Sequence, residues 1–223
     1  MVVDHVNHIM FDRSFAIMTI VGRAVLPLFC YAVAIGLKRS RSATDDNKYL
    51  TRLTIWGLLC EPISQFTKNQ TSTNILVTLG LGVIFARFSE RLKQWQLYAF
   101  YLFAIATFCL PMPAPVEYGL VGIVLPAAFY HALTPQKGSA FFLFLLLMML
   151  NNHHSTVPET HTYGIATHIV AQILIGFGVI IIPYAILQIA RWLPQTGRLL
   201  PKYFLYVFYP AHLILIKAIS YLF

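Results

Sequence analysis

Residues Phe15–Leu37 read FAIMTIVGRAVLPLFCYAVAIGL, an apolar stretch that contains a single charged residue, Arg23. At a rise of ~1.5 Å per residue, a helix over this stretch is long enough to cross the ~30 Å hydrocarbon core of a bilayer. Pro27 removes one backbone donor, so we expect the helix to bend near Arg23. The stretch therefore predicts a transmembrane helix with a permanent positive charge at membrane depth.

The rest of the chain has the same character. It is 58% hydrophobic and only 11% charged, with a mean hydropathy of +0.68, whereas about a quarter of the residues of a soluble domain are charged. Apolar segments leave no polar block large enough for a soluble domain. We predict an all-α fold, a polytopic transmembrane helix bundle of about nine spans (eight to ten), in one integral-membrane domain over residues 1–223.

Basic residues predict how these spans are oriented. Most Lys and Arg residues fall in alternate loops, and basic loops are typical of the cytoplasmic side. We therefore expect a multi-pass protein of the cell membrane with a cytoplasmic N-terminus and an external C-terminus. The net charge of +8 then indicates orientation in the lipid bilayer, and no nucleic acid is expected as a partner. The predicted spans are Met1–Phe11, Phe15–Leu37, Tyr49–Thr67, Asn74–Phe88, Leu97–Leu110, Tyr118–Leu133, Ala140–Leu150, Ile165–Trp192 and Tyr203–Phe223.

Both ends of the chain carry polar residues into apolar segments. Asp4-His5-Val6-Asn7-His8 lies in the first segment and Tyr209-Pro210-Ala211-His212 in the last. Each ionisable side chain in hydrocarbon costs roughly 2.5 to 3.5 kcal/mol on insertion scales, so such side chains usually pair with other polar groups of the protein. At ~1.5 Å per residue, His5 and Arg23 lie ~10 and ~12 Å below the outer boundary, and His212 lies ~16 Å below it. We therefore predict that the two ends meet in a polar cavity that opens toward the outer half.

The first of these clusters offers a general base. His5 has an ordinary pKa near neutrality and suits proton transfer from an amine or a hydroxyl. Asp4 points about 100° away from His5 on a helix, so it cannot orient that ring directly, whereas Asp4 and His8 are spaced to pair. The alternative interpretation is that His5 only forms a hydrogen bond between helices, and the residue types leave both open.

Arg23 is the second candidate of the cavity. Its guanidinium is always charged and fits a carboxylate, a phosphate or an oxyanion, so we interpret it as an anion clamp. The alternative is an ion pair with Asp4 or Glu61 that holds helices together. Glu61 lies ~9 Å below the outer boundary at ~1.5 Å per residue, and Asn74 and Tyr118 begin two spans at the outer mouth. These three side chains are predicted to line the same cavity.

No metal site is predicted. The histidines in the loop Asn151–Tyr163 lack the His-x-x-x-His register of a helical metal site, and the three cysteines show no metal-ligand spacing.

Taken in order, the motifs resemble those of TraX, the F-pilin acetylation protein family, over most of the chain. The resemblance implies a polytopic protein of the bacterial inner membrane that functions in conjugation and acetylates the N-terminal amine of pilin. It also implies a relation to membrane acyltransferases that take acetyl groups from acetyl-CoA. The matching motifs are Asp4-His5-x-Asn7, Gly22-Arg23-x-x-x-Pro27-Leu28-Phe29, Asn74, Tyr118-Gly119 and Phe208-Tyr209-x-x-His212-Leu213.

The resemblance also assigns roles to individual residues. Acetyl-CoA would be the donor, and pilin, or a glycan or lipid, would be the acceptor. Basic residues of the inner loops would attract the phosphates of the donor. By this resemblance His5 is the acyl-transfer base, Asp4 and Asn7 support it, Arg23 clamps the carbonyl, His212 and Tyr209 form the opposite wall, and Arg39 and Arg52 face the donor.

Two other classes of function stay open at this point. A proton-coupled transporter could use Asp4, Glu61 and the histidines as a relay, although the sequence shows neither an internal repeat nor matching broken helices. A non-catalytic pilin-assembly factor could use the same polar residues only to hold its helices together.

Overall fold

The computed structural model describes residues 2–11, 25–39, 42–68, 73–108, 118–133 and 203–222, with residues 15, 18, 21, 22, 142, 143 and 146. These ranges contain seven α-helices and no β-sheet, which confirms the all-α prediction for this part of the chain. The helices are α1 Val2–Met10, α2 Val25–Arg39, α3 Ala43–Lys68, α4 Ile75–Ser89, α5 Gln94–Phe108, α6 Gly119–Ala132 and α7 Phe204–Ser220.

The bounds of several helices follow from local capping. Asn74 precedes α4 as predicted, and its Oδ1 accepts hydrogen bonds from the amides of Leu76 and Val77 at 3.0 and 3.3 Å. Such a cap satisfies amides that lack a partner within the helix. α6 begins directly after Tyr118, again within one residue of the predicted start.

α3 begins earlier than the sequence predicted. The basic loop was expected to continue through Lys48, but α3 already starts at Ala43. The Ser42 hydroxyl accepts a hydrogen bond from the Asp45 amide at 3.3 Å, and Asp45 and Asp46 occupy the first turn. Acidic residues there interact favourably with the positive end of the helix dipole, which explains the extra helical residues.

None of the helices in the described ranges combines the length and the hydrophobicity needed to cross a membrane. The predicted eighth span, and most of the seventh, fall outside the described residues. The number of spans and their orientation stay predictions.

α4 and α6 form the centre of the described bundle. α6 also packs against α2 and α5, and α4 also packs against α3 and α2. α7 lies on the other side of α3 and contacts α1 as well. The first and last described helices are therefore neighbours, and α3 connects them to the central pair.

Glycines allow the central helices to approach closely. A Cβ atom on Gly82 of α4 would lie 2.6 Å from the Pro126 Cγ and 3.2 Å from the Ile123 carbonyl oxygen of α6. A Cβ atom on Gly57 of α3 would lie 3.0 Å from the Val77 Cγ2 of α4. Small residues at helix crossings are typical of helix packing in membranes, so Gly82 is a packing residue, as its sequence context indicated.

We expect Gly82→Ala to lower the stability of the folded protein by about 1 to 3 kcal/mol, because the added methyl group overlaps the Pro126 ring and the rigid backbone of α6. Gly36→Ala is the matched control, since no atom lies within 4 Å of the Cβ position there. Thermal unfolding in detergent should show a lower midpoint only for Gly82→Ala. Equal midpoints for the two variants would contradict the close contact between α4 and α6.

Candidate functional site

The imidazole rings of His5 and His212 stack on each other. Their centroids lie 5.2 Å apart with an interplanar angle of 27°, and the two residues are only 6% and 5% exposed. His5 is in α1 and His212 in α7, which pack together. The prediction that the two ends of the chain bring their polar residues together is therefore confirmed for this histidine pair.

A hydrogen bond within α7 fixes the orientation of His212. Its Nδ1 lies 2.8 Å from the carbonyl oxygen of Phe208, one turn earlier. A carbonyl oxygen can only accept, so Nδ1 carries the hydrogen and donates it. In the neutral imidazole the lone pair is then on Nε2. His212 therefore has the tautomer of a general base that acts through Nε2.

Further rings extend the stack along α7. The ring of Phe208 lies 5.2 Å from that of His212 and that of Phe204 lies 5.7 Å from that of Phe208, both with an interplanar angle of 17°. We call the four rings of Phe204, Phe208, His212 and His5 the aromatic column. Tyr209, which is buried, packs its edge against His212 at 5.7 Å.

Asp4 packs against the backbone at Gly22. A Cβ atom on Gly22 would overlap the Asp4 Cβ and would lie 2.7 Å from its Cγ, so only glycine leaves room for this carboxyl group. The next residue, Arg23, lies outside the described residues. The role of Arg23 as an anion clamp, and its alternative role in an ion pair with Asp4, both stay predictions.

Asn7 closes the turn that follows α1. Its Nδ2 donates to the Phe15 carbonyl oxygen at 2.9 Å, and its Oδ1 accepts from the Phe15 amide at 3.1 Å. The side chain is almost fully buried, and it satisfies both backbone groups of Phe15. Asn7, two residues after His5, therefore supports the end of α1 structurally.

A family model decides which proteins this chain is related to. The model of the TraX protein family matches residues 1–220. The chain belongs to the TraX family. No curated protein and no solved structure shows significant similarity to it. The match includes both His5 and His212, so the resemblance inferred from the sequence motifs is confirmed over almost the whole chain.

Two predicted cavity residues of this TraX protein bind each other. The backbone amide and the Nδ2 of Asn74 donate to Glu61 Oε2 at 3.0 and 2.7 Å, and Nδ2 also donates to the Gly57 carbonyl oxygen at 2.8 Å. Gln65 Nε2 donates to the other carboxylate oxygen, Glu61 Oε1, at 2.9 Å. Glu61 and Asn74 therefore join α3 to α4, and their contact with a substrate stays a prediction.

Tyr118 and Arg39 belong to another part of the TraX bundle. Tyr118 has φ of 66° and ψ of 11°, a left-handed conformation that costs a non-glycine residue of order 1 kcal/mol. It precedes α6, which packs against α2, α4 and α5. Arg39 is the exposed last residue of α2. Their predicted roles in binding stay predictions.

Arg52 lies beside the last helix. Its Nε donates to the Lys48 carbonyl oxygen at 2.9 Å. One turn later in α3, the Trp56 ring stacks on the Tyr206 ring with centroids 5.9 Å apart. The face of α3 that carries Arg52 therefore contacts the beginning of α7.

The sequence did not reveal an ion-pair network centred on Arg87. Its guanidinium donates to Asp46 Oδ1 at 2.8 Å, to the Leu37 carbonyl oxygen at 3.0 Å and to Glu90 Oε1 at 2.5 Å, and it lies 5.8 Å from the centre of the Tyr130 ring. In the fold Arg87 joins α2, α3 and α6 to α4.

Ser89 and His131 form a second buried pair that the sequence did not reveal. The Ser89 hydroxyl donates to the Ala86 carbonyl oxygen at 2.6 Å, and its oxygen lies 2.8 Å from His131 Nε2. Since the hydroxyl hydrogen points to Ala86, the ring is the donor in the second bond, which is opposite to what an activated serine nucleophile needs. His131 lies in the apolar sixth predicted span. The cost of an ionisable group there could have indicated that His131 has a polar partner.

We expect Asn74→Ala to destabilise the protein by about 2 to 4 kcal/mol, because it removes the cap of α4 and the side-chain donor to Glu61 Oε2 and to the Gly57 carbonyl oxygen, leaving only the backbone amide on Glu61 Oε2. Gln65→Ala removes one exposed bond to the other oxygen of the same carboxylate and should cost no more than about 0.5 kcal/mol. Chemical unfolding of both variants in detergent measures the difference. An Asn74→Ala variant as stable as Gln65→Ala would rule out this helix junction.

Proposed function

We propose that this TraX protein is an acetyltransferase of the bacterial inner membrane. It transfers the acetyl group of acetyl-CoA to an amine, such as the N-terminus of pilin, or to a hydroxyl acceptor at the outer side. The single observation that carries the proposal is the buried His5–His212 pair, in which the Phe208 carbonyl leaves the lone pair of His212 on Nε2. Family membership supports pilin as the acceptor, because the TraX resemblance implies it.

The surface of the helices supports a location in the bilayer. Leu58 of α3, Trp95 and Phe103 of α5, and Leu215 of α7 are each at least 60% exposed. Extended exposed apolar surface marks contact with a membrane or with another protein. Their distribution over three helices supports the lipid-facing surface of a membrane bundle, and the proposed orientation, with a cytoplasmic N-terminus and an external C-terminus, comes from the basic loops.

The motifs assigned the general base to His5, whereas the proposed reaction gives this role to His212, because the Phe208 carbonyl determines which His212 nitrogen has the lone pair. Nε2 accepts a proton from the acceptor amine or hydroxyl while the acceptor atom forms a bond to the acetyl carbonyl carbon. The carbon–sulfur bond then breaks, and the CoA sulfur leaves with the electron pair. The resulting imidazolium returns its proton to that sulfur, which restores neutral His212 and releases the CoA thiol.

The neighbours of His212 contribute orientation. The Phe208 carbonyl oxygen accepts a hydrogen bond from His212 Nδ1–H, and the face of the His5 ring covers one side of the His212 ring. Because the pair is buried, dipoles and charges close to it act more strongly on a developing oxyanion than they would in water. In this proposal Arg23 stabilises that oxyanion, and His5 and Asp4 hold α1 in place beside the base.

We expect His212→Asn to lower kcat for acetyl transfer by about 10²- to 10⁴-fold, because an asparagine amide still donates to the Phe208 carbonyl but supplies no base. Cys60→Ala, a buried packing change in α3, should retain activity. The assay follows labelled acetyl-CoA with purified protein in lipid nanodiscs and a peptide of the pilin N-terminus, with a glycan and a lipid acceptor in parallel. Size-exclusion profiles establish that each variant is folded.

Unchanged activity of folded His212→Asn would remove His212 from the chemistry. The absence of transfer to every acceptor, together with proton-coupled uptake of a small molecule into proteoliposomes, would replace the acetyltransferase with a transporter.

A further inference from the structure

The aromatic column leads from the surface of the described structure to the buried histidines. Phe204 and Phe208 are 41% and 36% exposed, whereas the two histidines at the other end are almost completely buried. Phe204, Phe208 and His212 follow one another at intervals of four residues, so their side chains lie along one stripe of α7. The proposed mechanism gives no role to the two phenylalanines.

Burial of the histidines restricts how an acetyl group can reach them. A bulky donor cannot enter a site in which the base and its neighbouring ring are nearly inaccessible, so the acetyl group must arrive at the end of a long and narrow arm. From Phe204 to His212 the stripe covers about 12 Å, at ~1.5 Å per residue. Because the rings stack on one another, the exposed parts of Phe204 and Phe208 are chiefly their edges, and these edges provide an apolar wall for such an arm.

Positive charge lies at the same end of α7 as Phe204. Arg52 lies one turn before Trp56 in α3, and the Trp56 ring stacks on that of Tyr206, two residues after Phe204. The Arg52 Nε donates to the Lys48 carbonyl oxygen. Lys48, one turn earlier in α3, is exposed. A guanidinium and an ammonium group beside the Phe204 end of the column match a donor that carries phosphates at the end opposite to its acetyl group.

We propose that the aromatic column is the binding track for the pantetheine arm of the acyl-CoA donor. The arm lies along Phe204 and Phe208, the thioester reaches His212, and the phosphates lie toward Arg52 and Lys48. This inference rests on the proposed acetyltransferase function and adds the direction from which the donor enters. It also gives the acceptor a separate approach, from the opposite end of the histidine pair.

Binding of ethyl-CoA, an unreactive thioether analogue, tests the track without requiring transfer. Phe204→Leu and Phe208→Leu keep an apolar side chain but remove the ring. We expect each to raise the Kd of ethyl-CoA by roughly 5- to 20-fold in nanodiscs, because the arm loses the ring edges against which it packs. Phe103→Leu, an exposed ring on α5, is the matched control and should leave the Kd unchanged.

Kinetics with a shortened donor separate the two ends of the track. Acetyl-N-acetylcysteamine keeps only the thioester end, so Phe204→Leu and Arg52→Gln should raise KM for acetyl-CoA but not for this donor, with kcat within about twofold of the wild type.

Unchanged ethyl-CoA binding in folded Phe204→Leu and Phe208→Leu would overturn the track even if acetyl transfer is measured. Ring-dependent binding of ethyl-CoA without transfer to any acceptor would support the track and overturn only the transferase reaction. Equal weakening by Phe103→Leu would also overturn the track, because the phenylalanines would then act through general contact with lipid.

Discussion

The stacking of His5 on His212 is the contact on which the proposed site depends. The two residues come from the first and last described helices, and both are buried in helices that are otherwise largely apolar. α1 is short and packs against α7, so the position of its histidine depends on the partner helix. The Phe208 carbonyl then sets which nitrogen of His212 holds the lone pair. A packing contact and one hydrogen bond thus provide the geometry that proton transfer requires.

Three other polar side chains, the buried Asn7 and Asn74 and the partly buried Arg87, show how such a bundle is held together. Asn7 binds both backbone groups of Phe15, Asn74 binds Glu61 and caps α4, and Arg87 binds two carboxylates and the end of α2. Each of them satisfies groups that would be costly to bury without a partner. Because each connects two or more segments, these residues fix the order in which the helices pack.

Much of the fold could be predicted from the sequence, because apolar segments and caps are local features. The start of α4 next to Asn74 followed from where an apolar segment begins, and the meeting of the two chain ends followed from the cost of ionisable groups in hydrocarbon. The tautomer of His212 could not be predicted, because it depends on a side-chain rotamer. The Arg87–Asp46 pair was missed because Asp46 was assigned to a loop, whereas capping by Ser42 extends α3 to include it. The site of Arg23 lies outside the described residues and stays a prediction.

Solid-state NMR of the protein in lipid bilayers, with ¹⁵N- and ¹³C-labelled histidine, tests the central claim most directly. His212→Asn and His5→Gln samples assign the two ring signals. The account predicts a neutral His212 ring with hydrogen on Nδ1 and a through-space contact between the His212 and His5 rings. A His212 ring with hydrogen on Nε2 alone, or the absence of contact between the two rings in folded protein, would contradict it.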